Sequence, residues 1–166
     1  SKTNKIKQKT LGVHMKKHFA LNLILFFIEH FGNGGEIAIP EEVTAIGANA
    51  FQKNIAITKV TLPETVTSIG AYAFSRCFRL TSITIPESIT YIPSSFLYGC
   101  DNLATVTFEG NVTALGGSSF NGCKNLSSII VPETVSVIRK GAFSNCTSLN
   151  ADVLDSATAL VEIGES

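Results

Sequence analysis

The feature that most constrains the fold of this chain is an internal repeat with a period of 23 residues. The four cysteines, Cys77, Cys100, Cys123 and Cys146, all follow that step. Such a repeat predicts a solenoid, because one short unit cannot bury its own apolar side and stacked units make a continuous core. The other columns are Pro40, Pro63, Pro86 and Pro132; Ile57, Leu80, Leu103, Leu126 and Leu149; Ile46, Ile69, Ile92, Leu115 and Ile138; and Phe51, Phe74, Phe120 and Phe143, with Leu97 in the vacant aromatic position.

The repeat divides the chain into three parts. Five complete units span residues 34–148, a basic and apolar leader lies at 1–33, and a partial repeat or C-terminal cap lies at 149–166. The leader holds six lysines in residues 1–18 and no acid there, which indicates a solvated end. Over the whole chain 13 basic residues balance 13 acidic ones, so no basic field favours nucleic acid as a partner.

One unit predicts two short strands followed by a turn. Ile83 and Ile85 are two positions apart and therefore point to the same side of a strand. Pro86 lacks an N–H and ends the pairing, after which a second apolar stretch begins. The pair Ala73-Phe74, followed by Cys77, predicts one helical or 3-10 turn before the next strand. A glycine follows the second strand in most units, as at Gly47, Gly70 and Gly116, and we expect it to permit a sharp backbone turn.

These residues carry a resemblance to a known family. Leu80-x-x-Ile83-x-Ile85 matches the leucine-rich-repeat strand pattern, and residues 62–80 match Ile-Pro-Glu-x-Val-Thr-x-Ile-Gly-x-x-Ala-Phe-x-x-Cys-x-x-Leu closely. Over roughly 34–154 the chain therefore resembles the BspA-like leucine-rich repeat family. Local departures suggest a weaker first unit: Gly34 replaces the first Leu, Asn54 replaces the first Cys, Glu109-Gly110-Asn111 replaces Pro-Glu, and Arg139 replaces Gly.

The resemblance implies both a fold and a class of function. The implied fold is an α/β, β-rich, right-handed leucine-rich-repeat solenoid with stacked parallel strands and short helical or 3-10 turns. Members of the family occur mainly in surface and secreted proteins of host-associated bacteria. The resemblance therefore implies adhesion or protein binding, with a host or extracellular-matrix protein as ligand, and it does not imply catalysis.

The residues that could carry chemistry favour structural explanations. Because the cysteines occupy the same position in each repeat, we interpret them as buried apolar side chains with free thiols, although adjacent pairs could approach disulfide distance. No C-x-x-C spacing suggests zinc. His14, His18 and His30 all lie outside the repeats, so no Ser–His or Cys–His pair forms within them. We therefore predict no enzyme, no cofactor and no small-molecule substrate.

A glutamate column follows the proline column. A stack of like charges could hold a cation, but no clustered loop of oxygen ligands accompanies it. We favour a solvated edge that discourages aggregation, and predict no metal. Its members are Glu41, Glu64, Glu87 and Glu133.

Alternation along the first strand of each unit turns a mostly hydroxyl-bearing set of side chains outward. We interpret this set as a candidate protein-binding face, while β-propensity alone is the competing explanation. The Thr-x-Thr array also hints at ice binding, but Lys59 and Ile130 spoil its regularity. The candidate residues are Lys59, Thr61, Ser82, Thr84, Thr105, Thr107 and Ser128, with Tyr72, Tyr91 and Tyr98 as contact anchors and Thr44, Thr67, Thr90, Thr113 and Ser136 as a second outward row.

The leader allows two interpretations. Met15-Lys16-Lys17 followed by the apolar run 19–28 is typical of a secretory signal, with possible cleavage at Gly32-Asn33-Gly34. The alternative is an N-terminal cap for the first repeat, although the run is apolar around the whole helix. The first interpretation predicts a cell-surface or secreted protein, and the second leaves an intracellular scaffold or structural spacer open. An uncapped end would also favour end-to-end self-association.

Overall fold

Each 23-residue unit forms one coil of a parallel-strand solenoid. The computed structural model describes residues 35–150 and 162–164. The predicted leader, residues 1–33, lies outside the described residues. The strands are β1 (Glu36–Ala38), β2 (Ala45–Ile46), β3 (Lys59–Thr61), β4 (Ser68–Ile69), β5 (Ser82–Ile85), β6 (Tyr91–Ile92), β7 (Thr105–Phe108), β8 (Ala114–Leu115), β9 (Ser128–Ile129), β10 (Val137–Arg139) and β11 (Glu162–Gly164).

The first strands of the coils form one continuous sheet. Its order is β1-β3-β5-β7-β9, and every pair is parallel. Partners such as Ser82 and Thr105 are one sequence period apart. The repeat thus fixes the register directly, and the prediction of stacked parallel strands is confirmed.

The second strands of the coils form two separate sheets. β2 pairs with β4, and β6, β8, β10 and β11 form a four-stranded sheet, with no pairing of β4 with β6. In the neighbouring coils the N–H of Gly70 donates to the carbonyl of Ile46 at 2.8 Å and the N–H of Gly116 donates to that of Ile92 at 2.7 Å. Pro93 occupies the same column between them and has no N–H to donate. The second side is therefore interrupted between the second and third coils.

The core consists of the predicted apolar columns. Leu80, Leu103 and Leu126 are fully buried, as are Phe74 and the other large side chains that line the inside of the coils. The Phe51 and Phe74 rings stack at 4.7 Å, and those of Phe120 and Phe143 at 5.2 Å.

The third coil departs from the aromatic column. Phe96 takes the position that is alanine in the coils before it, and Leu97 takes the phenylalanine position. Both side chains are fully buried, and the Phe96 ring meets the Phe74 ring edge to face at 5.7 Å. The aromatic column is therefore divided into two stacked pairs.

The corner segments between the second and first strands are turns. The prediction of helical or 3-10 turns is not confirmed, since neither occurs in residues 35–150. Two positions in every coil have a positive φ, which interrupts any right-handed helical path. These positions are Asn49, Tyr72, Ser95, Ser118 and Gly141, and Lys53, Arg76, Gly99, Gly122 and Asn145.

The corner backbone instead bonds to the next coil. The N–H of Phe51 donates to the carbonyl of Ala73, and the N–H of Lys53 donates to that of Ser75, both at 2.7 Å. Alternate N–H groups close turns within the coil, as from Asn54 to the carbonyl of Phe51 at 3.1 Å. The corners therefore join neighbouring coils by backbone hydrogen bonds, as the sheet does.

The glycine column after the second strand has a second role beside the predicted turn. None of Gly47, Gly70 and Gly116 has a positive φ, so these glycines do not serve a left-handed turn. Gly70 and Gly116 also allow close approach: a Cβ on Gly70 would lie 2.3 Å from the backbone N of Ala48, and one on Gly116 would lie 2.5 Å from that of Ser94. A turn does begin at this column, since the N–H of Ala50 donates to the carbonyl of Gly47 at 3.3 Å and the N–H of Ser119 donates to that of Gly116 at 3.2 Å. At Gly70 and Gly116, however, the requirement for glycine comes from the preceding coil.

The stack continues past the fifth unit. β11 pairs in parallel with β10, with Val137 opposite Glu162, so the offset there is two residues longer than the repeat. No helix in residues 35–150 or 162–164 is long and apolar enough to cross a membrane.

Candidate recognition face

The outer face of the five-stranded sheet brings together the seven candidate residues that were predicted on the first strands. The pairing aligns Lys59, Ser82, Thr105 and Ser128 in one row across β3, β5, β7 and β9. A second row runs alongside it two residues further on. The side chains of Thr84 and Ser82 are half-buried and the others are exposed. The second row contains Thr61, Thr84 and Thr107, and Ile130 follows it with 81% of its surface exposed.

The tyrosines lie elsewhere. Tyr91 is exposed on β6, in the four-stranded sheet on the second side of the solenoid. Tyr98 lies in the corner segment of the third coil, where the guanidinium of Arg76 stands 5.8 Å from its ring centroid. Tyr72 also belongs to a corner, at a positive-φ position. The structure therefore places the aromatic side chains away from the hydroxyl-bearing sheet.

Three of the five hydroxyls in the second outward row make hydrogen bonds within the solenoid. Thr67 donates to the carbonyl of Thr44 at 3.3 Å, Thr113 to that of Thr90 at 3.1 Å, and Ser136 to that of Thr113 at 3.3 Å. Each bond joins one coil to the previous coil. Further bonds of this kind start from Thr65, Thr81, Ser88, Thr134 and Thr147.

The hydroxyls of the sheet face differ from this row. Within the described part of the chain, those of Thr61, Ser82, Thr84, Thr105, Thr107 and Ser128 make no hydrogen bond. An exposed hydroxyl without a protein partner is available to a ligand as donor and acceptor. The face is therefore a flat array of unused hydrogen-bonding groups with regular spacing.

The cysteine column is inert. All four thiols are free; Cys77, Cys100 and Cys123 are buried, as predicted, and Cys146 is half-buried. Cys77 and Cys100 donate to the carbonyls of Phe51 and Phe74, both at 3.1 Å. Burial raises the pKa of the Cys77 thiol to about 12 and raises the pKa of the other three as well. These thiols are therefore protonated packing groups and poor nucleophiles.

The glutamate column shows a structural use at one position. The carboxylate of Glu64 accepts from the backbone N–H groups of Glu87 and Ser88, each at 3.3 Å. Among residues 35–150, no three His, Cys, Asp or Glu side chains are grouped so as to hold a metal ion.

The sequence reasoning missed one exposed cluster. Lys53 and Arg76 share a column at one corner, Ile55 and Phe78 share another, and Arg79 follows. The overall neutrality of the chain hid this local excess of positive charge. The available signal was the 23-residue spacing of charged and apolar side chains outside the core columns.

Stacked parallel coils with this strand pattern define a leucine-rich-repeat solenoid. Residues 29–150 match the BspA type leucine rich repeat region in six copies, and the chain belongs to that family. No curated protein sequence matches the chain significantly.

Solved structures of bacterial proteins resemble it. A leucine-rich-repeat protein of T. pallidum is 28% identical with a TM-score of 0.66, over 70% of this chain and 56% of that one. A leucine rich cell surface protein of Faecalibacterium prausnitzii is 32% identical with a TM-score of 0.68, over 75% of this chain and 35% of that one. The pneumococcal vaccine antigen PcpA, at 23% identity and a TM-score of 0.60 over 69% of this chain and 29% of that one, shares the fold. The chain thus spans 56% or less of the length of these proteins.

Proposed function

We propose that this domain is a non-enzymatic recognition module of a cell-surface or secreted protein, and that it binds a host or extracellular-matrix protein through the outer face of the five-stranded sheet. The observation that carries the proposal is the contrast between two sets of hydroxyls. In the second outward row, the hydroxyls of Thr67, Thr113 and Ser136 bond to neighbouring coils. Those of Thr61, Thr84 and Thr107 make no hydrogen bond within the described part of the chain.

The spacing of the face suits an extended protein surface. Neighbouring strands in a sheet lie about 4.8 Å apart, so the two rows form a regular grid of donors and acceptors. Lys59 adds one positive charge near the edge of this grid. Because the coils are bonded to one another at the sheet and the corners, the grid is preorganised and loses little conformational entropy on binding.

A surface location is supported by similarity. The F. prausnitzii protein is described as a leucine rich cell surface protein, and the pneumococcal protein as a vaccine antigen. Labelling of intact cells with a membrane-impermeant amine reagent, followed by mass spectrometry, tests this location. Labelling of lysines in residues 35–150 supports it, whereas labelling only after lysis would favour the scaffold or spacer alternative.

The binding face is tested by placing a bulky charge on it. We expect Thr61→Arg combined with Thr107→Arg to weaken binding to a sensor coated with solubilised basement-membrane matrix by at least about tenfold, as for other central contacts. The matched control is Thr90→Arg, an exposed threonine on the second side of the solenoid. No binding by the unmodified domain, or equal loss in both variants, would refute the proposed face.

A further inference from the structure

A second exposed surface lies at the corner where the coils return to the five-stranded sheet. We name it the cationic corner and define it by Lys53, Ile55, Arg76, Phe78 and Arg79, on the first two coils. Two of its members are large apolar side chains, with 67% of the Ile55 surface and 43% of the Phe78 surface exposed. Exposed apolar groups framed by charge are typical of interaction sites.

The charges of this corner are not neutralised within the described part of the chain. Lys53, Arg76 and Arg79 form no ion pair there. The acid in the column of Ile55 and Phe78 is Asp101, and Lys124 binds its carboxylate at 2.7 Å. The corner therefore carries three positive charges without an acidic partner among the described residues.

Three of the acidic residues of the repeats lie on a different edge. Glu41, Glu64 and Glu87 follow the proline column, on the far side of the five-stranded sheet from the cationic corner in the path of each coil. These three carboxylates are therefore separated from the cations of the corner on a chain that is neutral overall. Such separation steers an oppositely charged partner toward one surface.

The cationic corner is held in a fixed arrangement. The Arg76 guanidinium lies over the Tyr98 ring of the next coil at 5.8 Å, a cation–π contact that orients it. The N–H of Arg76 donates to the carbonyl of Tyr98 at 2.7 Å, and the amide of Asn102 donates to the carbonyl of Phe78, also at 2.7 Å. Because three successive coils are joined here, the backbone of the corner and the guanidinium of Arg76 are positioned before any partner binds.

We propose that the cationic corner binds an acidic segment of a protein partner that also carries an aromatic or aliphatic side chain. The carboxylates of such a segment would pair with Arg76 and Arg79, because a planar guanidinium can form bidentate hydrogen bonds with a carboxylate. Its apolar side chain would cover Phe78 and Ile55. A sulfated polysaccharide would match the charges but has no apolar side chain to cover these two residues, so the surface favours a peptide.

This inference shares with the proposed function only the need for a protein partner, and it uses a different surface. The probe is a phage-displayed library of random peptides selected on the immobilised domain. We expect enriched peptides to carry a net negative charge and an aromatic or aliphatic residue. Their affinity, measured by fluorescence anisotropy of labelled synthetic copies, should fall at least about tenfold in Arg79→Glu and in Phe78→Ala, and should fall as salt is raised.

Two control variants separate the outcomes. Arg139→Glu makes the same change of charge on β10, away from the corner, and should leave the peptide affinity within about twofold. The variant with Thr61→Arg and Thr107→Arg should also retain the peptides, although it is expected to lose matrix binding.

Three results would overturn the inference. The first is enrichment of peptides without net negative charge. The second is peptide affinity that is unchanged in Arg79→Glu and Phe78→Ala, or that falls equally in Arg139→Glu. The third is binding of heparin or of anionic phosphatidylserine vesicles to the corner with no enriched peptide.

Discussion

Replacing Gly70 by alanine should separate two neighbouring coils. A Cβ there would lie 2.3 Å from the backbone N of Ala48, 2.7 Å from its Cα and 2.8 Å from the carbonyl carbon of Gly47. Favourable contacts between heavy atoms begin near 3.5 Å, so the two backbones must move apart by roughly 1 Å. That movement strains the hydrogen bond from the Gly70 N–H to the Ile46 carbonyl, which is 2.8 Å long.

The magnitude follows from these two effects. Overpacking costs about 1–3 kcal/mol, and weakening one enclosed hydrogen bond adds about 1 kcal/mol. Alanine also stabilises by roughly 0.4–1 kcal/mol, because it restricts the unfolded chain. We therefore expect Gly70→Ala to lower the free energy of unfolding by about 1–3 kcal/mol.

Gly47 provides a matched control for this prediction. It occupies the same column one coil earlier, has no positive φ, and a Cβ there would meet no atom of the described residues within 4 Å. Gly47→Ala restricts the unfolded chain in the same way but introduces no steric clash, so it should be neutral or slightly stabilising. The assay is urea unfolding, monitored by circular dichroism. If Gly70→Ala and Gly47→Ala differ by less than about 0.5 kcal/mol, close coil contact does not explain the glycine column.

Four further variants test the core, in each case by urea unfolding. Ser119 is fully buried and its hydroxyl has no hydrogen-bond partner among the described residues, so Ser119→Ala should stabilise by about 1 kcal/mol. Ser75→Ala removes a bond to the Tyr98 carbonyl and should destabilise, and the same sign for both variants would contradict the argument. Leu103→Ala should cost about 2–5 kcal/mol because the side chain is fully buried, and a change near zero would mean that this column is not the core. The raised pKa of the Cys77 thiol means that the unfolded chain releases its proton first as pH rises above about 9, so the stability contributed by the protonated thiol is lost between pH 9 and about 12. Cys77→Ala should lessen the fall in unfolding free energy over that range, and an unchanged slope would contradict burial as its cause.

The parallel stack could be predicted from the sequence because paired strand residues lie one repeat period apart. Once Cys77 and Cys100 define the step, the register of Ser82 with Thr105 follows. The corner conformation did not follow in the same way. Lys53 and Arg76 adopt positive φ although their residue types disfavour it. The hints of that conformation in the column were Gly99, Gly122 and Asn145.

The candidate face was partly predictable for a similar reason. The alternation of side-chain direction along a strand identifies which side chains point away from the core, so Thr61 and Thr107 could be identified from the sequence. Whether an outward hydroxyl bonds to a neighbouring coil depends on side-chain rotamers and on the carbonyl direction of the previous coil. That is why Thr67 and Thr107, which look alike in the repeat, have different uses in the structure. Tyr91 lies on β6 in the four-stranded sheet, and its separation from the candidate face depends on how the backbone turns between the two strands of a coil.

The interruption at Pro93 has a consequence for how the array comes apart. In a repeat protein, stability is the sum of what each unit contributes and how strongly it couples to its neighbours. The second and third coils lack strand pairing on one side, and face-to-face stacking of the phenylalanine rings ends there, since Phe96 meets Phe74 edge to face. Coupling on the second side of the solenoid is therefore weakest at this junction, and partial unfolding should divide the array there, releasing the first two coils as one cooperative unit from the coils that follow.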